Sequence, residues 1–273
     1  MKELKIGFRV VILVLGVTVS LVTSAQKKKN KPKGELYFSW GYNTEWYTHS
    51  NIHVFQPALG NDYTLINMKG HDHRGWDDGL FTKAISIPQY NYRLGYILDA
   101  DKGIGLEINF DHTKFIAADQ NAHIKGTLSH HPVDSTIAYN QANGFFYYLN
   151  NGANFLLFNI VKRWQIYHAQ RHLLKVDFLG KIGVGPVIPH VENSFFGQKN
   201  DPHFQLGGWN IGVEGALRAT LFRYFYVEYT NKLDYARYAH LRIYEGTVNQ
   251  AFGTYEMILN FGLTIPIGRG FRQ

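Results

Sequence analysis

Cysteine is absent from the 273 residues. A small secreted domain with a poor core is usually stapled by disulfides, so this fold must close by other means. Charge is sparse as well: Asp, Glu, Lys and Arg make up 18% of the chain, against roughly 25% in an average soluble domain. The formal net charge of +7 is concentrated at one end: Lys2, Lys5 and Arg9 against Glu3 leave +2, Lys27, Lys28, Lys29, Lys31 and Lys33 add +5, and the rest is neutral. A nucleic-acid binder needs a basic face on its folded part, and nothing here demands one, so no nucleic-acid partner is expected. Beyond the N-terminus no apolar run reaches the roughly 20 residues of a spanning helix. If the mature chain crosses a membrane, it must do so as strands.

What is present is aromatic and small. Aromatics make up 15% of residues, with 18 Tyr, 19 Phe and 27 Gly, a mixture that suits tight strands and interfacial belts. The N-terminus reads as an export signal over residues 1–25: basic Lys2, Lys5 and Arg9, an apolar run from Val10 to Val22, then small Thr23-Ser24-Ala25 before Gln26. No Cys follows, so no lipoprotein anchor is expected. Residues 26–34, Lys-rich with Pro32, read as a solvated periplasmic tail. Residues 35–273 are left for the fold.

From there the chain alternates. Leu36, Phe38, Trp40, Tyr42 and Trp46 oppose Ser39, Gly41, Asn43 and Glu45; Tyr90, Tyr92, Leu94, Tyr96 and Leu98 oppose Asn91, Arg93 and Gly95. The same holds for Ile104–Phe110, Leu174–Val184, Trp209–Leu217, Phe225–Leu233 and Tyr255–Ile265, with a less regular stretch from Asn154 to Trp164. Period two over such lengths means strands with one apolar and one wet face. A soluble barrel shows the same alternation, but the connections here are sorted. Those at Asp99–Gly103, His168–His172 and Phe222–Arg223 are short; those at Thr48–Ile87, Ala117–Gly144, Ile188–Gly207 and Ala239–Ala251 are long. Short periplasmic turns and long outer loops mark transmembrane barrels. The expected fold is therefore all-β: a closed antiparallel transmembrane β-barrel of about eight strands, with both termini in the periplasm of a Gram-negative envelope. Its expected partners are outer-membrane lipid, lipopolysaccharide and the barrel assembly machinery; any surface ligand or protein partner is unknown.

Eight strands leave an interior just wide enough for side chains to fill. Glu107 and Asp111, Lys175 and Lys181, and Glu214 and Arg218 share the wet parity and are candidates for ion pairs across the lumen. The alternative is an ion path, which a narrow pore would need. Outer connections carry most of the histidines, and His49, His53, His71, Asp72, His73, His130 and His131 are candidate ligand or metal residues, because imidazole is the commonest metal ligand. Their spacings match no closed metal site, and no cofactor is expected. Barrel enzymes that modify lipid A include deacylases with a His-x-Ser-Asn sequence on a strand. Tyr47-Thr48-His49-Ser50-Asn51 comes close, but adjacent strand residues point to opposite faces. By parity Ser50 falls on the lipid face and His49 inward, so no catalytic set is assigned. The first long loop also holds Arg74, Trp76, Asp77 and Asp78, a mixture of charge and anchor fit for surface binding.

Several stretches together carry a resemblance. Gly41-Tyr42-Asn43, Trp46-Tyr47-x-x-Ser50-Asn51-Ile52-His53, Asp62-Tyr63-Thr64-Leu65 and Asp72-x-Arg74 open it. Ile87-Pro88-Gln89-Tyr90-Asn91-Tyr92-Arg93-x-Gly95-Tyr96, Asp111-His112-x-Lys114 and His203-x-x-x-Gly207 continue it. Over most of the mature chain the sequence resembles a family of exported outer-membrane β-barrel proteins of unassigned activity. The resemblance implies the fold and the outer-membrane address. That family tends to carry His-Thr-Asp-Gly-Leu-Asn before its fourth strand; here the region reads Leu149-Asn150-Asn151-Gly152-Ala153-Asn154, without the His and Asp. Outer-membrane barrels also commonly end on an aromatic, whereas Phe271 is followed by Arg272 and Gln273.

Overall fold

The structure is a computed structural model that describes residues 34–73, 89–169 and 173–267. The expected signal and Lys-rich tail, Arg74, Trp76, Asp77, Asp78, Ile87, Pro88, His172 and Phe271 lie outside the described residues.

The chain is all-β. Its first half forms β1 (Gly34–Tyr47), β2 (Ser50–Gln56), β3 (Asn61–Met68), β4 (Gly70–His71), β5 (Tyr90–Asp99), β6 (Ile104–Asp111), β7 (Phe115–Ala117), β8 (Gln120–Leu128) and β9 (His131–Tyr139). The second half forms β10 (Phe146–Leu149), β11 (Phe155–His168), β12 (Leu174–Pro186), β13 (His190–Phe195), β14 (Gln198–Lys199), β15 (His203–Phe204), β16 (Gly208–Leu221), β17 (Phe225–Ile243) and β18 (Gly246–Ile267).

This corrects the expected closed barrel of about eight strands joined by plain loops. The described residues form eighteen strands, and the main sheet has twelve of them, in the order β1-β5-β6-β11-β12-β16-β17-β18-β2-β3-β8-β9, with β1 also bonded to β18. The strands from β1 to β18 in that order form a ring of eight, and they fall on the eight alternating segments of the sequence. The sheet does not stop at the ring. β18 pairs with β1 from Thr254 to Ile267, then with β2 from Thr247 to Gln250, and runs on into β3, β8 and β9. A second, smaller sheet runs β14-β13-β10-β7-β4, with β15 beside β13. Where they are described, the connections read as long outer loops are therefore largely strands. Ile52 and Val54, Tyr63 and Leu65, and Ala122 and Ile124 alternate over too few positions to resemble membrane strands, but enough to bury one face of a short one.

Two cores of opposite polarity result. In the ring the outward face is apolar: Phe38, Leu94, Leu106, Ile160, Ile182, Leu217, Phe261 and Ile265 are all exposed. Its inward face is polar and buried, with Arg93, Glu107, Asp111, Lys181, Glu214, Arg218, Glu228, Lys232 and Glu256. Beyond the ring, at the end away from the short turns, lies a cap with the ordinary pattern. The extension of the main sheet and the smaller sheet share one apolar core that includes Ile52, Leu65, Ile124, Tyr147, Val191 and Val248.

β17 and β18 carry both patterns. Along β17 the outward residues Phe225, Val227, Tyr229, Leu233 and Tyr235 are large and exposed, and Arg237 follows. The inward residues change from Lys232 and Asp234 to Ala236 and Tyr238 over the same step. Both faces invert polarity at one level. The outward stretch from Phe225 to Tyr235, apolar but for Asn231, which accepts from the Tyr229 and Tyr255 hydroxyls, has the length of a tilted membrane strand, about 9–11 residues.

Candidate functional site

Inside the ring, charged side chains meet in three tiers. Nearest the short turns, Arg163 on β11 donates to Glu35 on β1 at 2.7 Å, and Lys175 on β12 lies 3.7 Å from Glu35 and 3.1 Å from Asp177. In the middle, the Lys181 ammonium stands 3.0 Å from Glu107, 3.3 Å from Glu214 and 3.0 Å from Glu228. Arg218 donates to Glu228 at 2.6 Å, and its guanidinium stacks 4.2 Å from the Tyr37 ring and 4.1 Å from the Tyr226 ring. In the upper tier Lys232 reaches Asp111 at 2.7 Å and Glu256 at 2.9 Å, and Arg93 donates to Asp111 at 2.5 Å. β6 and β17 are four strands apart in the ring of eight, so the Asp111–Lys232 pair joins opposite walls. The Glu35–Lys175 contact does the same from β1 to β12.

Close packing in the middle tier depends on a glycine. Tyr37 donates its hydroxyl to Glu107 at 2.8 Å while its ring lies over Gly95 on the neighbouring strand, where any Cβ would collide with the ring. Gly95 therefore keeps the room that lets Tyr37 lean across the lumen.

Above the upper tier the lumen ends in apolar rings. Tyr47, Phe115 and Phe252 pack with centroids 4.8–5.2 Å apart, and Lys232 Nζ lies 5.0 Å from the ring of Phe155. Phe115, Phe155 and Phe252 belong to the cap core. The charged column is thus stoppered by the floor of the cap.

The sequence candidates for the lumen divide among these tiers. Glu107, Lys181, Glu214 and Arg218 meet in the middle, Asp111 lies in the upper tier and Lys175 in the lower. Sequence reasoning did not single out Glu35, Arg93, Arg163, Glu228, Lys232 or Glu256. For Arg93, Glu228, Lys232 and Glu256 the signal was the same wet parity as the named residues. For Arg163 it was hidden in the least regular alternating segment.

The histidine candidates spread over the cap. His49 Nδ1 donates to Asn67 at 3.1 Å, His53 Nε2 to Asp62 at 2.8 Å, and His73 Nδ1 to Asn150 at 3.0 Å. His71 turns back to the carbonyl of Asp72, at 2.9 Å. His130 sits in the β8–β9 turn with its amide on the Gly60 carbonyl, and His131 opens β9 against Leu128. Among the described residues no group of three or more His, Cys, Asp or Glu could hold a metal ion. His49 and Ser50 do not meet either. Ser50 is buried and accepts from Gln250 at 2.9 Å, whereas His49 is exposed. The parity reading of that pair fails because the chain leaves the ring at Thr48, where alternation restarts.

Asp72 has a different part. It caps the free edge of β1 above β5, accepting from the Glu45 amide at 3.0 Å and the Thr44 hydroxyl at 3.1 Å. Burial pushes its carboxyl above the ordinary aspartate value, and these hydrogen bonds offset part of the rise. On the far side of the cap floor, burial holds His112 below the usual imidazole value, with its Nδ1 donating to Asn154 at 2.8 Å. Asn154, in the segment that lacks the resembled family's His and Asp, also donates to the Ile188 carbonyl at 2.9 Å. Tyr238 donates to the neighbouring Ala153 carbonyl at 2.9 Å. In this chain that segment ties β11 to the cap.

No protein-family model and no curated protein matches the chain. Solved structures similar to it include Ail, the attachment invasion locus protein of Yersinia pestis, in complex with the heparin analogue sucrose octasulfate, at 14% identity and a TM-score of 0.33, covering 85% of this chain and 99% of that one. Neisserial surface protein A is similar at 6% identity and a TM-score of 0.32, over 86% of this chain and 97% of that one. The outer membrane protease OmpT from Escherichia coli is similar at 10% identity and a TM-score of 0.36, over 89% and 99%. These are distant likenesses to outer-membrane proteins and assign the chain to no family.

Proposed function

We propose that this chain is an exported, non-enzymatic outer-membrane protein whose capped end binds at the cell surface or stiffens the envelope. One observation carries the reading: the ring has an apolar outside and a charged, ion-paired inside, and both faces invert together between Tyr235 and Arg237. A water-soluble β-fold buries its apolar face; a strand in lipid shows it. Residues 1–25 then serve as the signal and 26–34 as the periplasmic tail, on the side of the short turns. Lipid and lipopolysaccharide surround the ring, and the barrel assembly machinery inserts it. The cap, about ten strands with an apolar core of its own, offers a rigid surface for a ligand or partner.

Crossing ion pairs and the aromatic floor argue against a narrow pore. His49 bonded to Asn67 and Ser50 to Gln250 speak against the lipid-deacylase reading, which needs the two side chains on each other. The test is fractionation of the full chain from an outer-membrane host, followed by planar-bilayer recording. Retention in the membrane after alkaline wash, with cap epitopes reached by antibody on intact cells and no steady conductance, is the expected result. Release by alkaline wash would overturn the membrane reading, and a steady open channel would overturn the sealed one.

A further inference from the structure

The outward face carries one hollow that the apolar band does not explain. It measures about 580 Å³ and is walled by Trp46, Ile211, Leu233, Tyr235 and Tyr255, with Gly253 as its floor. Gly253 has the outward parity of β18, where its neighbours Tyr255, Leu259 and Phe261 are large and exposed. Its register partner Tyr235 is tied to Trp209, with centroids 5.9 Å apart, and Trp46 is tied to Tyr255 at 5.6 Å. Two aromatic pairs thus flank a residue with no side chain of its own, beside Thr48, whose hydroxyl accepts from the Gly253 amide at 2.9 Å. The hollow lies at the capped edge of the band, where aromatic belts meet the lipid headgroups.

A charge follows on the same strand, just outside the lining. Arg237 follows Tyr235 on the same outward face, about 7 Å nearer the cap, and pairs in register with Trp209 and Ala251. It is exposed, and no carboxylate among the described residues forms an ion pair with it. An apolar slot continuous with the lipid-facing band, topped by one guanidinium, has the layout of one acyl chain below one phosphate. Arg grips phosphate through paired N–H groups.

We infer that the hollow between Trp46, Tyr235 and Tyr255 is a site for a single-phosphate acyl lipid, its chain over Gly253 and its phosphate at Arg237. This rests on the reading that the ring's outward face meets lipid. A single cation commits the site to a phosphoglycerolipid rather than to a saccharolipid bearing several phosphates.

Trp46 in the wall supplies the readout. The full chain is placed in phosphatidylcholine vesicles containing a small fraction of either brominated phosphatidylglycerol or brominated phosphatidylcholine. Quenching of the Trp46 component is taken as the difference from Trp46→Phe. Brominated phosphatidylglycerol should quench it with about fivefold higher apparent affinity, the worth of one basic side chain at an anionic lipid surface. Arg237→Gln, a surface change that spares folding, should erase that preference. Gly253→Leu should lower Trp46 quenching by both lipids. Equal quenching by the two lipids in the unaltered protein, a preference that survives Arg237→Gln, or displacement of the phosphatidylglycerol by lipopolysaccharide would each overturn the site. Failure of the underlying membrane reading looks different: the chain stays out of the vesicles and neither lipid quenches.

Discussion

Asp72 shows how much one side chain can do at a seam. Its carboxylate closes the edge of β1 where β5 has not yet begun to pair, and so fastens β4 and the cap to the ring. Because burial raises the folded-state value of Asp72, the folded form binds its proton more tightly than the unfolded chain does. The stabilisation from this group is then full below the ordinary aspartate value, and is lost as pH rises through the raised one. Asp72→Asn keeps an oxygen to accept both hydrogen bonds and removes the charge. Once the intrinsic base-catalysed rise in amide exchange is divided out, protection at Gly70–His71 should fall from pH 4 to pH 7 in the unaltered protein and stay level in Asp72→Asn. An identical pH dependence in the two would mean that another group controls the seam.

At the scale of strands, exposure means different things on the two halves of the main sheet. Phe261 on β18 and Phe55 on β2 are 50% and 42% exposed, but on the function proposed above one faces lipid and the other water. Phe261→Arg should cost about 2–4 kcal/mol, the range for a cation at the middle of a lipid-facing strand. Phe55→Arg should stay within about 0.5 kcal/mol, as surface changes usually do, with Asp62 as its register neighbour. Refolding into vesicles at graded denaturant measures both; equal costs would mean that the two phenylalanines share one solvent. The same contrast explains what was legible in the sequence. The ring strands were readable because Leu36 to Trp46 or Tyr255 to Ile265 alternate for ten residues or more. The cap was not, because β2, β3 and β8 each bury only two or three apolar residues, and β4, β14 and β15 are two residues long. Such strands are specified by partners far along the chain, as when β3 pairs with β8 across some sixty residues. The wet parity placed Glu107, Lys181 and Glu214 on one face, but which cation meets which carboxylate depends on the ring's circumference. Single-strand patterns do not contain that.

For the whole molecule, closure is redundant. The lower and upper tiers each cross the ring between opposite walls, the middle tier lies between them, and the aromatic floor seals its capped end. Removing one cation leaves its carboxylates buried with less compensation. Lys232→Ala strands Glu256, leaves Asp111 with Arg93 alone, and should destabilise by about 3–5 kcal/mol, the usual cost of breaking a buried pair. It should not open a path, because Lys181 still gathers Glu107, Glu214 and Glu228 below, and Phe115 and Phe252 still stack above. Stability and permeability should therefore separate. Lys232→Ala lowers the denaturant midpoint yet passes no current in a bilayer. Current should appear only when a tier and the floor are removed together, as in Lys232→Ala with Phe115→Ala and Phe252→Ala. A conducting Lys232→Ala single variant would show that the upper tier alone holds the lumen shut, and that the cap's apolar floor contributes nothing to the seal.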